Sequence, residues 1–162
     1  MKIFLDTNVL ASAAATRGLC PDVLREIFAS HDLFLSEQVL SEVGRVLKLK
    51  FGVAQDAIDD FIQLLRQDTV LAKPSRVPRV KLQDEDDLTI LAAAITAGAE
   101  GLITGDKELL DLGHVKNLKI LNPRQFWEEL KAQERRKAKR NKAKSKGQAL
   151  STRPHREEKS DG

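Results

Sequence analysis

The chain has one cysteine, no tyrosine and one tryptophan in 162 residues, and these shortages exclude several classes of protein. A lone Cys20 rules out an internal disulfide and fits a reducing compartment. Nothing in the sequence supplies it with a partner base, so it reads as a small, partly buried filler rather than a nucleophile. Aromatic residues make up 4% of the chain against 41% hydrophobic residues in all, so the core has to be built from Leu, Ile, Val and Ala. No apolar run approaches the roughly 20 residues that a membrane-spanning helix needs. The apolar stretch at the start is too short for a signal peptide and is wrongly flanked. Repeats at solenoid periods are missing as well. The expectation is a cytoplasmic protein with no membrane association.

Charge is plentiful but unevenly placed. Residues 1–130 carry 15 basic and 20 acidic side chains, a net −5, whereas residues 131–162 carry 12 basic and 4 acidic ones, a net +8. The overall +3 and the pI near 9.0 therefore belong to the tail. One folded domain is expected over residues 1–132, with a basic, disordered tail over 133–162. From Glu134 to Lys146 no apolar residue is larger than Ala, so this segment can prolong the last helix for a few turns but cannot bury a face. Gly147 to Gly162, which includes His155, is expected to be disordered. Such a tail can bind a polyanion without sequence preference, or serve only to solubilise the domain. It has no aromatic residue to stack on a base.

The rest alternates short apolar runs with helical periodicity, the signature of an α/β sheet. Ile3-Phe4-Leu5 reads as a buried strand leading into a helix over Val9 to Ala15. Pro21-Asp22 opens a second helix, and Leu33-Phe34-Leu35 is the next strand. Ser36 caps a helix that runs to about Lys50, followed by another over 54–68 with Ile58, Phe61, Ile62, Leu64 and Leu65 on its buried side. Val70-Leu71 reads as a short strand. Pro74 and Pro78 mark a connector containing Arg76, Arg79 and Lys81, which can contact phosphates or simply be solvated. A helix from the acidic run 84–87, a strand at Leu102-Ile103-Thr104, a helix from Glu108 to Leu112 and a strand at Lys119-Ile120-Leu121 follow. Asn122-Pro123 then starts a helix whose Phe126, Trp127 and Leu130 should pack back on the sheet.

Carboxylates recur where such a sheet places its ligands, outside the carboxyl ends of its strands. Asp6 and Asp106 each end a short apolar strand, and Glu42 lies early in the helix after the second strand. Asp87 closes the run Asp84-Glu85-Asp86-Asp87 at a helix start. Each has a bland explanation: Asp6 and Asp106 can be N-caps, Glu42 a solvated helix residue, and the run 84–87 a complement to the helix dipole. One capping residue would suffice for that helix, however, and four adjacent carboxylates repel one another unless a cation offsets them. Oxygen-only ligands suit Mg²⁺ or Mn²⁺ and not zinc, and such a cation commonly bridges to a substrate phosphate. Phosphodiester cleavage is the natural reaction for the set.

Taken in order, these segments resemble a known family. Ile3-Phe4-Leu5-Asp6-Thr7-Asn8-Val9-Leu10 comes first, followed by Ser41-Glu42-Val43. Next is Asp84-Glu85-Asp86-Asp87 ahead of Ile90-Leu91-Ala92-Ala93-Ala94, and finally Leu102-Ile103-Thr104-Gly105-Asp106-Lys107-Glu108-Leu109-Leu110. The ordered set resembles the PIN domain, in particular the prokaryotic branch of toxins from toxin–antitoxin modules (VapC-like). The resemblance runs from Met1 to about Leu130. It implies a three-layer α/β/α fold around a mostly five-stranded parallel sheet, and a Mg²⁺- or Mn²⁺-dependent endoribonuclease. RNA would be the substrate, a cognate antitoxin the protein partner, and a homodimer the assembly. By the same resemblance Asp6, Glu42, Asp87 and Asp106 are the catalytic metal ligands, with Asn8 and Thr104 supporting them through hydrogen bonds. Asp84 and Asp86 are supporting candidates, since a one-residue slip in a run of acids would exchange them with Asp87.

Other readings are weaker. A phosphatase of the haloacid dehalogenase type would use Asp6 as nucleophile, but it wants a second Asp two residues on, where Asn8 stands. A receiver domain would need an acidic pair after the first strand and a phospho-acceptor Asp ending a middle strand. A PIN scaffold that binds RNA or a partner protein without cleaving is the non-enzymatic alternative.

Overall fold

The computed structural model describes residues 1–73 and 78–151. Pro74 and Arg76 of the connector, and His155 of the tail, lie outside the described residues. Contacts divide the chain into two compact units, Met1–Trp127 and Glu128–Gly162.

The first unit is built on β1 (Lys2–Leu5). Ile3, Phe4 and Leu5 are all buried, so both faces of this strand are covered, as an uninterrupted apolar run requires. The other strands are β2 (Asp32–Leu35), β3 (Thr69–Leu71), β4 (Gly101–Ile103), β5 (His114–Val115) and β6 (Leu118–Leu121). The sheet order is β3-β2-β1-β4-β6-β5. Five strands are parallel, as expected; β5 adds a short antiparallel edge paired with β6. Its two residues give no apolar alternation for the sequence to reveal, and the hairpin turns through Lys116 at φ 52°.

Among the described residues six helices connect these strands and a seventh follows the last: α1 (Thr7–Ala15), α2 (Leu19–Ser30), α3 (Glu37–Leu49), α4 (Gln55–Asp68), α5 (Glu85–Thr96), α6 (Lys107–Leu112) and α7 (Pro123–Ser151). The fold is the expected α/β architecture, with helices covering a mostly parallel central sheet. α2 starts two residues ahead of the expected Pro21, because a proline in the first helical turn loses no hydrogen bond. On α4 the buried stripe is narrower than its periodicity suggests. Ile58 and Leu65 are buried but Leu64 is 46% exposed, and Val70 of the edge strand β3 is 55% exposed. At the start of α7, Asn122 Oδ1 accepts from the Gln125 N–H at 2.7 Å and Gln125 Oε1 accepts from the Asn122 N–H at 2.9 Å, a reciprocal cap.

β1 lies between β2 and β4, so the chain builds outward on one side of it and then on the other. The carboxyl end of β1 is thus the topological switch point, where connections leave in opposite directions and a crevice opens. Asp6 stands at that end.

In the second unit α7 continues as helix through Ser151, farther than the few turns expected, and every side chain from Lys131 to Gln148 is exposed. Ala, Lys, Arg, Glu and Gln, all strong helix formers, account for this helix without help from packing. Among the described residues no helix is long and apolar enough to cross a membrane.

Ser36 sets the start of α3 and hence the placement of Glu42. Its buried Oγ accepts from the Val39 N–H at 3.3 Å. Ser36→Ala should cost about 1 kcal/mol, measured as a lower denaturant midpoint with unchanged slope.

Candidate active site

Asp6 is only 4% exposed, and its carboxylate is held on both oxygens. The Thr7 N–H donates to Oδ1 at 2.7 Å and the Thr104 hydroxyl donates to Oδ2 at 2.6 Å. The Asp6 N–H extends the sheet ladder by donating to the Ile103 carbonyl at 3.0 Å. Thr104 also accepts from the Asp106 N–H at 3.0 Å, so one buried hydroxyl ties together the acids that end β1 and β4. Asp106 in turn caps α6, its Oδ1 accepting from the N–H groups of Glu108 and Leu109 at 2.9 and 3.3 Å.

Glu42 arrives from α3. The Thr7 hydroxyl donates to its Oε2 at 2.8 Å, and the Gln38 amide, one turn earlier on α3, donates to its Oε1 at 3.1 Å. Asp87 lies in the first turn of α5, where Asp84 is the N-cap and accepts from the Asp86 N–H at 2.9 Å. Of the run 84–87 only Asp87 is buried, which separates it from its exposed neighbours Asp84 and Asp86.

These groups line a cavity of about 240 Å³. Its walls include Asp6, Glu42, Asp84, Asp86, Asp87 and Asp106, and among the described residues Arg45 is the one cation that lines it. Oxygens of Asp87, Asp106 and Glu108 lie within 4.8 Å of one another. All the expected acids therefore face one cavity, but the tightest group contains Glu108 and leaves out Asp6 and Glu42. Asn8 lines the cavity and is exposed; among the described residues no hydrogen bond joins its side chain to the acids.

Burial, with like charge adding to it, raises the pKa of two of these acids. Burial raises the pKa of Asp6 above the usual carboxylate value; the bonds from Thr104 and the Thr7 amide oppose this, and Asp106 and Glu42 add to it. Asp87 is pushed up to about 7, first by burial and then by Asp106, Asp84, Asp6 and Glu108.

The sequence model of the PIN domain family matches residues 2–108, well over half of the chain. The chain belongs to the PIN domain family. Three solved structures share this PIN fold, each at 18% identity. VapBC2 from Rickettsia felis, bound to a DNA fragment from its promoter, gives a TM-score of 0.56 over 75% of this chain and 98% of that one. VapC20 from Mycobacterium tuberculosis, a toxin that cleaves the sarcin–ricin loop, gives 0.54 over 72% and 98%. VapBC-1 from nontypeable Haemophilus influenzae gives 0.53 over 76% and 98%. No curated protein matches the chain by sequence.

Within this PIN domain, Thr7, Gln38, Arg45 and Glu108 stand at or beside the site and are not among the residues expected from the sequence. Thr7 and Glu108 were hidden by blander roles, since each follows an N-capping Asp and sits in the first turn of its helix. Gln38 had a legible signal: it is four residues before Glu42 on one helix, the spacing at which side chains meet. Nothing local in the sequence singles out Arg45.

A carboxyl whose pKa rises on folding binds its proton more tightly in the folded state. Ionising it therefore removes stability as pH climbs from 3.8 to about 7. The full shift at Asp87 corresponds to about 4 kcal/mol, which water at the cavity mouth reduces to something on the order of 2. Without divalent cation, Asp87→Asn should match the parent chain near pH 4 and melt several degrees higher near pH 8. Parallel melting curves at all pH values would remove Asp87 as the strained group.

Proposed function

We propose that this chain is a metal-dependent endoribonuclease that hydrolyses RNA phosphodiester bonds, acting as the toxin of a toxin–antitoxin module. The observation that carries the reading is the convergence of acids from the end of β1, α3, α5 and the β4–α6 turn on one cavity, with no His or Cys among the described residues that line it. The donor set fits a hard cation: oxygens only, three of them mutually close, and an excess of negative charge that burial makes costly. Asp87, Asp106 and Glu108 would hold Mg²⁺ or Mn²⁺, with Asp6 and Glu42 lining the same cavity as Asp87 and Asp106. When bound, such an ion supplies Lewis-acid stabilisation of charge developing on a phosphate.

The chain's own residues do the positioning. Thr104 and the Thr7 amide fix both oxygens of Asp6, so its carboxylate cannot swing away from the cavity. Thr7 and Gln38 do the same for Glu42, each donating to a different oxygen. Gln38 also lies 3.5 Å from Asp86 Oδ1, and its own Oε1 is buried with no partner among the described residues. Arg45 gives the otherwise acidic cavity a cation that can draw in a substrate phosphate.

RNA as substrate and an antitoxin as partner are supported by the PIN family together with the VapC and VapBC structures that share the fold. Exposed Leu64 and Val70 offer apolar surface for a homodimer. The cytoplasm is the compartment proposed, since a lone cysteine fits a reducing environment.

Labelled RNA incubated with Mn²⁺ should be cut, and EDTA should stop the cutting. Asp6→Asn and Asp87→Asn should each lower the rate roughly 100-fold or more while keeping the far-UV circular dichroism spectrum of the parent. Mn²⁺ should raise the melting temperature of the parent chain and not that of Asp87→Asn. Full cleavage by either variant would falsify the mechanism.

A further inference from the structure

We propose that α7 carries an RNA-backbone binding stripe, formed by Arg135, Lys139, Lys142 and Lys146, that holds substrate by its phosphates without reading sequence. Nine of the 16 residues from Lys131 to Lys146 are Lys or Arg, and Glu134 is the only acid among them. At 100° per residue the four named cations fall within about 60° of arc, at intervals of about 4.5–6 Å along the helix axis. Lys131 lies beside the same line. A different face, formed by Glu134, Ala138, Asn141 and Ser145, bears no cation. The charge is therefore arranged as a continuous row rather than scattered.

Four observations fix the partner class. Every side chain in the row is exposed, and among the described residues none of Arg135, Lys139, Lys142 and Lys146 forms an ion pair. Arg135 and Lys139, and likewise Lys142 and Lys146, are four apart, so like charges face each other along the helix and a polyanion would relieve them. No apolar side chain larger than Ala occurs between Lys131 and Lys146, so the helix has no face to insert into a lipid surface. No aromatic residue occurs there either, which leaves the phosphates and not the bases as the recognised groups.

The need for such a row follows from the rest of the chain. Residues 1–130 carry a net −5, and the candidate cavity is walled by acids. A polyanionic substrate is repelled by that field at long range. A covalently attached basic helix offsets the repulsion and raises the local concentration of RNA around the domain. That the polyanion is RNA rests on the nuclease reading above; the row itself does not.

The test uses the full chain and a fluorescently labelled single-stranded RNA of about 20 nucleotides, with binding followed by anisotropy in EDTA so that no cleavage intervenes. Salt is varied from about 50 to about 200 mM KCl. One variant carries Arg135→Gln, Lys139→Gln, Lys142→Gln and Lys146→Gln; a control carries Arg136→Gln, Lys137→Gln, Arg140→Gln and Lys144→Gln. The first should bind about tenfold or more weakly, with the slope of log affinity against log salt flattened by about 3, some 0.7 for each lost phosphate contact. The control should lose clearly less. In Mn²⁺, the first variant should show a raised KM and an unchanged kcat. Equal losses in the two variants, an unaltered slope, or tighter binding to phosphatidylserine vesicles than to RNA would overturn the stripe. Stripe-dependent RNA binding with no cleavage in Mn²⁺ would uphold it and refute the nuclease reading instead.

Discussion

The hydroxyl of Thr104 is the joint on which the candidate site depends. Strand β1 pairs with β4 in a register that sets Leu5 beside Ile103, so the residues just beyond them, Asp6 and Thr104, meet although 98 positions separate them. The hydroxyl donates to Asp6 and accepts from the Asp106 backbone, spending both its capacities on the two strand ends. A hydroxyl buried this deeply must be paired, and here the pairing also fixes where the carboxylates point. The sheet is what makes the joint possible, because parallel register delivers both strands' carboxyl ends to the same edge.

Around that joint the molecule tolerates an electrostatic conflict. Asp6 and Asp87 are buried with their pKa values raised, and the neighbouring acids add to the burden that burial begins. A stable fold gains nothing from this arrangement. Local strain that the rest of the structure must offset marks places where function and stability pull in different directions. The offset comes from β1, α1 and α3, whose Phe4, Leu10 and Leu40 are essentially sealed from solvent. The tail carries charge of the opposite sign, so the acidic cluster and the basic surplus belong to different segments of one chain.

How much of this was legible depended on whether the signal was local. Ser36, Asp6, Asp84 and Asp106 could be read as helix starts, and all four do cap helices. The five parallel strands were visible as short apolar runs, whereas β5 was not, since two residues paired with a neighbour leave no periodicity. The helical length of α7 exceeds what composition suggests, because composition shows that a segment cannot bury a face, not that its backbone cannot coil. Glu108 gives no signal of its own, because an acid in a first turn already has an explanation in the helix dipole.

By itself the sequence determined the α/β alternation, the acids that follow two of the strands and the separation of an acidic body from a basic tail. These follow from residue type and spacing along the chain, which need no partner to be meaningful. Tertiary structure alone decided which member of 84–87 is buried, that Thr7 and not Asn8 reaches Glu42, and that Glu108 stands with Asp87 and Asp106. Distance and burial are properties of elements packed together, and a carboxylate does not carry in its own sequence position the identity of the neighbour across the cavity.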